Sequence, residues 1–275
     1  MNKFLNRMFF DMRLFAGNRS FSSNCFNMGK NMIAALVADC DAARRTETGI
    51  ALENMGCRVA FAFDGCDVIG ALQISRCDLL VVSLVLARWD GYTVLEKIPS
   101  LNLSRYPYVV AQTAMGDAEC DRALAMGADA AFRKPVTRQN WKDTLPLVQS
   151  EIPRAANAVA EKRFPAAQRC VASLGIPTHL KGFHYLSRAV TLCSVDDRLM
   201  DNATSMLYPW LARTYMTTTG GVEHAIRQAI ETTWTRGSME NLLTLFGNSI
   251  DPQRGKPTNI ECIARLAEII RRSER

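Results

Sequence analysis

The chain has no C-x-x-C pair, no cofactor-binding loop and no apolar run near the roughly 18 residues that a membrane span needs. Its nine cysteines, Cys25, Cys40, Cys57, Cys66, Cys77, Cys120, Cys170, Cys193 and Cys262, are odd in number and scattered. That excludes a secreted disulfide framework and a structural zinc site, and points to a reducing, cytoplasmic compartment. His179 and His184 lie five apart without a cysteine at ligand spacing, so no metal role is read into them. No catalytic dyad or metal cluster stands out, which leaves an enzyme without support. Basic residues outnumber acidic ones at both ends. Residues 1–30 hold five Lys/Arg against one acid, residues 31–153 hold 12 against 15, and residues 154–275 hold 16 against 11.

The length of 275 residues suits about two domains, and 48% hydrophobic residues suffice for real cores. The basic last part fits a polyanionic partner, because phosphate neutralisation supplies most non-specific affinity for nucleic acid. The first thirty residues carry six of the twelve phenylalanines. Polar or charged residues break every apolar run there within four positions, so a signal peptide's apolar core is missing. Residues 1–31 are expected to be a disordered leader or to follow from a misassigned start, with Met28 or Met32 as the true one.

From Met32 the chain alternates strand and helix. Continuous apolar runs at Ile33 to Ala38 and Asp78 to Ser83 suit strands buried on both faces. With Cys57 to Phe63, Tyr108 to Gln112 and Ala130 to Phe132 they make five β/α repeats, a doubly wound parallel sheet of flavodoxin-like size over residues 32–149. Its site lies outside the carboxyl ends of the strands. Those ends carry Asp39-Cys40-Asp41, Ser83, Thr113 and Lys134-Pro135.

These markers, with Trp89-Asp90-Gly91 after the third strand, resemble the receiver domain of two-component response regulators over Met32 to Val148. The resemblance implies a phosphoacceptor aspartate at the end of the third strand and a divalent cation held by that residue and an acidic pair. Here the acceptor position is Ser83 and the pair is Asp39-Cys40. Two of three carboxylates are missing, and a magnesium ion wants hard oxygen ligands, so no cofactor is expected. The aromatic switch position is Ala131. Asp41 begins a helix and Asp90 sits seven residues past Ser83, which makes both poor substitute acceptors. Thr113 and Lys134, which would bind the phosphoryl group, are expected to be structural, with Lys134 pairing Asp39. The middle part thus reads as a degenerate receiver.

Residues 150–165, polar and alanine-rich near Pro153 and Pro165, read as a partly helical linker. Residues 166–275 show only helical periods. Leu207, Leu211 and Tyr215 give one apolar helix face. Thr217-Thr218-Thr219-Gly220-Gly221 reads as a tight turn with threonine caps. Val222, Ala225, Ile226, Ala229, Ile230, Thr233 and Trp234 then form one stripe of a second helix, opposite Glu223, His224, Arg227, Gln228 and Glu231. Arg236-Gly237 ends it. This is a helix-turn-helix pattern, whose second helix enters the major groove. Trp210 and Trp234 are expected to pack between helices.

Leu174-Gly175-Ile176-Pro177, His179-Leu180-Lys181-Gly182, the hairpin, Leu245-Phe246-Gly247 and Gly255-Lys256-Pro257-Thr258-Asn259 together resemble the effector domain of the stage-zero sporulation protein A family, from Cys170 onward. The resemblance implies a six-helix DNA-binding domain. It also implies tandem dimers on short boxes of double-stranded promoter DNA and contact with the RNA polymerase sigma factor. Glu223 and Arg227 match the family's reading face. Gly220-Gly221 replace its usual Ser-Arg, His224 its arginine and Gln228 its histidine. Each lost guanine reader removes about 1–3 kcal/mol of discrimination, while Gln228 can read adenine. The DNA-binding set is therefore Thr217, Thr218, Thr219, Gly220, Gly221, Glu223, His224, Arg227 and Gln228. Lys181, Arg236, Arg254 and Lys256 are candidate phosphate clamps. The expectation is a transcription regulator of altered site preference that works without receiver phosphorylation. The alternative is an interaction protein that does not bind DNA but heterodimerises with a true family member and titrates it.

Overall fold

The computed structural model describes residues 32–236, 246 and 256–273. The leader 1–31, residues 237–245 and 247–255 on either side of buried Phe246, and with them Arg254, lie outside the described residues. Five strands alternate with five helices: β1 (Ala34–Ala38), α1 (Ala42–Glu53), β2 (Arg58–Ala62), α2 (Gly65–Ile74), β3 (Leu79–Ser83), α3 (Gly91–Lys97), β4 (Tyr108–Thr113), α4 (Asp117–Ala125), β5 (Ala130–Arg133) and α5 (Arg138–Ser150). All pairings are parallel, in the order β2-β1-β3-β4-β5. This is the flavodoxin-like order, reversing beside β1. Every residue of β1, β3 and β4 is buried, as continuous apolar runs require of central strands. Asp41, Asp64, Asp90 and Thr137 cap their helices with side-chain oxygens. Asp41 and Asp90 are therefore occupied as caps.

The two faces of the sheet have different cores. Val37, Val81, Val110 and Leu79 pack with Leu52 of α1 and Trp141 of α5. On the other face Leu36, Leu80, Val82 and Val109 begin a core that runs through Ile98, Leu103 and Ile152 into the helical part. That part comprises α6 (Arg154–Ser173), α7 (Lys181–Val195), α8 (Arg198–Asp201), a π-turn at Ala203–Leu207, α9 (Tyr208–Thr214), α10 (Thr219–Arg236) and α11 (Asn259–Arg272). The stretch around Pro165 is not a break in the chain. α6 runs through it as one 20-residue helix that buries Ala155, Ala156, Val159 and Ala160. The described residues from Ile33 onward form one compact unit.

A buried polar seam joins the sheet to the helices at the amino ends of the strands. Asp78, just before β3, accepts from the Ala34 amide (2.9 Å) and pairs with Arg105 (2.7 Å) and Arg76 (3.2 Å). Arg105 forms an antiparallel bridge with Asp196, and the Asp197 amide donates to the Ser104 carbonyl (3.3 Å). Asp196, fully buried, grips the Arg198 guanidinium. Arg198 in turn donates to the Val148 and Glu151 carbonyls at 2.7 and 3.2 Å. Those are acceptors at the carboxyl end of α5, where a cation is favoured by the helix dipole. Arg163 of α6, also buried, donates to the Ser194 carbonyl (2.8 Å) and to Asn102 (3.0 Å). Burial and the nearby Arg198 charge lower Arg105 to about 10.

Candidate nucleic-acid interface

The hairpin has the expected helices with a shifted boundary. Leu207 closes the π-turn, Leu211 lies in α9, and Tyr215 follows its end. The turn is Tyr215 to Thr218, with Met216 at φ 48°. A non-glycine residue in that left-handed region is uncommon, and Met216 is also almost fully exposed. α10 starts at Thr219, so Gly220 and Gly221 lie inside its first turn rather than in the connection. The Thr218 hydroxyl accepts from the Gly221 amide (3.1 Å), which makes Thr218 the cap. A Cβ added at Gly220 would meet nothing within 4 Å, so this glycine is not sterically required.

α10 buries Val222, Ile226, Ala229, Ile230 and Thr233 and packs on α7, α9 and α11. The approach to α7 is close. A Cβ at Gly182 would come within 2.2 Å of the Ala225 carbonyl oxygen, so only glycine fits there. Trp234 stacks edge-on with Phe246 at 5.2 Å, and Trp210 packs against the core.

The opposite ridge faces outward. His224, Arg227 and Gln228 are exposed, and Glu223 and Glu231 are half-buried. Arg227 pairs with Glu223 one turn earlier. Lys256, ahead of α11, pairs with Glu231 at 2.6 Å, which holds the Glu231 carboxyl below its ordinary range. Thr217, Thr218 and Lys181 are exposed as well. The Arg236 side chain lies outside the described residues. Asn259, which the sequence marks only as part of the motif carrying the resemblance, donates its side-chain amide to the Glu223 carbonyl (3.0 Å). Tyr208 is buried beside it and hydrogen-bonds the Asn259 side chain. Neither belongs to the hairpin's polar face, so no periodic signal marks them.

At the carboxyl ends of the strands, Asp39, Ser83 and Thr113 are each at least 97% buried. The Lys134 ammonium pairs with Asp39 and donates to the Ser83 hydroxyl at 2.8 Å. Asp39 also accepts from the Asp41 amide (3.0 Å), and Thr113 from the Met115 amide (3.0 Å). Cys40 is exposed, its thiol directed at the Val85 carbonyl (3.5 Å). One carboxylate, already engaged by an ammonium, with a hydroxyl and a thiol beside it, does not fit a divalent cation. The Lys134–Asp39 pair expected from the sequence is present.

Residues 35–145 match the family model of the response regulator receiver domain, and residues 167–270 match that of the sporulation initiation factor Spo0A C terminal. The chain belongs to the stage-zero sporulation protein A family. Its architecture is that of a response-regulator transcription factor, a receiver fold followed by a DNA-binding effector domain. Solved structures similar to it include the Francisella response regulator 1452 receiver domain (20% identity, 42% of this chain and 95% of that one, TM-score 0.39). A two-component response regulator from Clostridium difficile shares 22% identity over 43% of this chain and 96% of its own, with a TM-score of 0.39. A CheY-like receiver domain from Methylobacillus flagellatus shares 18% over 43% and 99%, with a TM-score of 0.41. Among the described residues of this family member, no helix is long and apolar enough to cross a membrane.

Proposed function

We propose that this protein is a cytoplasmic, sequence-specific DNA-binding regulator of transcription that acts by binding rather than catalysis, without aspartyl phosphorylation of its receiver. Residues 32–149 are the receiver-like part, 150–165 the connection and 166–275 the effector. The observation that carries the reading is the α10 ridge. His224, Arg227 and Gln228 face outward from a helix whose other side is anchored in the core. Arg227 suits guanine and Gln228 adenine, with Lys181 and Lys256 on backbone phosphates. By resemblance it binds as a homodimer on tandem boxes and meets the polymerase sigma factor.

Loss of phosphotransfer rests on the strand ends. Ser83 has no general base beside it, since Lys134 is committed to Asp39. The test is retention of promoter-length duplexes in gels across a salt series, with and without acetyl phosphate. Retention should fall steeply with salt and ignore acetyl phosphate. Label from acetyl phosphate appearing on a carboxylate of the receiver would refute the phosphorylation-free reading. If no duplex is retained even at low salt, the titrating heterodimer is the better reading.

A further inference from the structure

The start of α11 meets the recognition helix across an open cleft of about 500 Å³, lined on one side by Glu223, Arg227 and Glu231 and on the other by Lys256 and Asn259. Tyr208 lies in its wall, its hydroxyl raised above the ordinary range by burial, against the lowering effect of a hydrogen bond with the Asn259 side chain. Two polar links span the cleft. The Asn259 amide reaches the Glu223 carbonyl in the first turns of α10, and Lys256 reaches the Glu231 carboxylate two turns further on. The apolar side of α10 packs against α7, α9 and α11. Along the cleft the two links prop α10 in addition to that packing. Apolar packing is non-directional and leaves small rolls of a helix inexpensive, whereas the two props are directional and fix the roll.

We propose that Asn259 and Lys256 are positioning residues for base reading: they set the roll of α10, and so the angle at which His224, Arg227 and Gln228 meet the groove. This rests on the DNA-binding reading above. Reading bases demands closer placement than neutralising phosphates, because bidentate contacts tolerate little misplacement while charge attraction acts at range. The two props therefore act on specificity more than on non-specific affinity. Asn259 shows this more cleanly, since it carries no charge and its replacement leaves the electrostatic field unchanged.

The experiment uses the full chain. Wild-type protein first enriches a random duplex pool, and Asn259→Ala is then compared on the enriched and the starting pools. The ratio of the two affinities should fall about tenfold, the size of one misread base pair. Affinity for the starting pool should stay within about twofold of wild type, and so should its salt slope. Hydrogen exchange in the free protein should show faster exchange along residues 222–231 in the variant, with α7 unchanged. Lys256→Gln should give the same exchange pattern and additionally flatten the salt slope. An unchanged affinity ratio, or an equal loss on both pools, would overturn the positioning role. So would unchanged exchange in α10, which is read without DNA. A wild-type chain that enriches nothing would remove the DNA-binding reading, and the proposal with it, whatever the exchange shows.

Discussion

The two ends of the parallel sheet carry charge of the same kind in opposite service. At the carboxyl ends, where a receiver does its chemistry, Asp39, Lys134 and Ser83 close on one another. At the amino ends, Asp78, Arg105, Asp196 and Arg198 form a larger cluster that joins the sheet to the helical effector. The first cluster is one carboxylate, one ammonium and one hydroxyl bound to each other. The second is a joint. Buried ion pairs add little net stability compared with apolar packing, but leaving one partner unpaired is costly, so each cluster enforces its own geometry. The difference shows that one sheet can turn its charges inward on each other at one end and use them at the other to fix where its neighbour sits.

Breaking the joint should cost most. Arg198→Ala leaves Asp196 buried without its cation and strips a donor from two α5 carbonyls, and should lower the unfolding free energy by about 3–5 kcal/mol. Urea denaturation followed by the fluorescence of Trp141 in the sheet part and of Trp210 in the helical part, each retained alone, checks it. Both probes should shift together. Lys134→Ala at the opposite end should cost less, about 1–3 kcal/mol, because Asp39 keeps the Asp41 amide as a partner. It should leave duplex binding unchanged. Equal losses from the two substitutions would erase the contrast.

A third effect lies in pH. Asp129 accepts from the Val109 and Arg154 amides, tying the sheet to the start of α6. Burial raises its carboxyl to about 6. The folded state then holds a proton that the unfolded chain has lost, between about pH 4 and 6, so this group's contribution to stability falls as pH rises through that window. The difference in stability between wild type and Asp129→Asn should move by about 2 kcal/mol across it, in favour of the variant at the higher pH, as read by thermal unfolding. The smallest expected effect is at the reading helix. Gly220→Ala has room for its methyl group and should stabilise by roughly 0.5–1 kcal/mol, measured by urea denaturation.

What the sequence made legible follows the same division. The strands announced themselves as apolar runs, and the Lys134–Asp39 pair followed from the resemblance to receivers. α11 begins at Asn259 behind a Thr258–Glu261 capping box, within the part that carries only helical periods. The joint was not legible. Its members stand far apart in the chain, and each alone resembles an ordinary solvated charge. Pro165 hid α6, since a proline inside a helical period reads as a boundary, yet here the helix continues through it. The glycine pair read as a turn for a similar reason, because glycine signals loops more often than first helical turns. The contact of Asn259 was invisible because its partner is a backbone carbonyl, which carries no side-chain signature.

The arginine that closes the end of α5 comes from 48 positions beyond that helix's last residue, Ser150. The front fold is therefore not closed by its own residues: the Val148 and Glu151 carbonyls take their cation from the helical part that follows. Any exchange that grafts another front domain onto this effector would have to supply acceptors for Arg198. Any exchange that moves this front domain elsewhere would have to take Asp196 and Arg198 along.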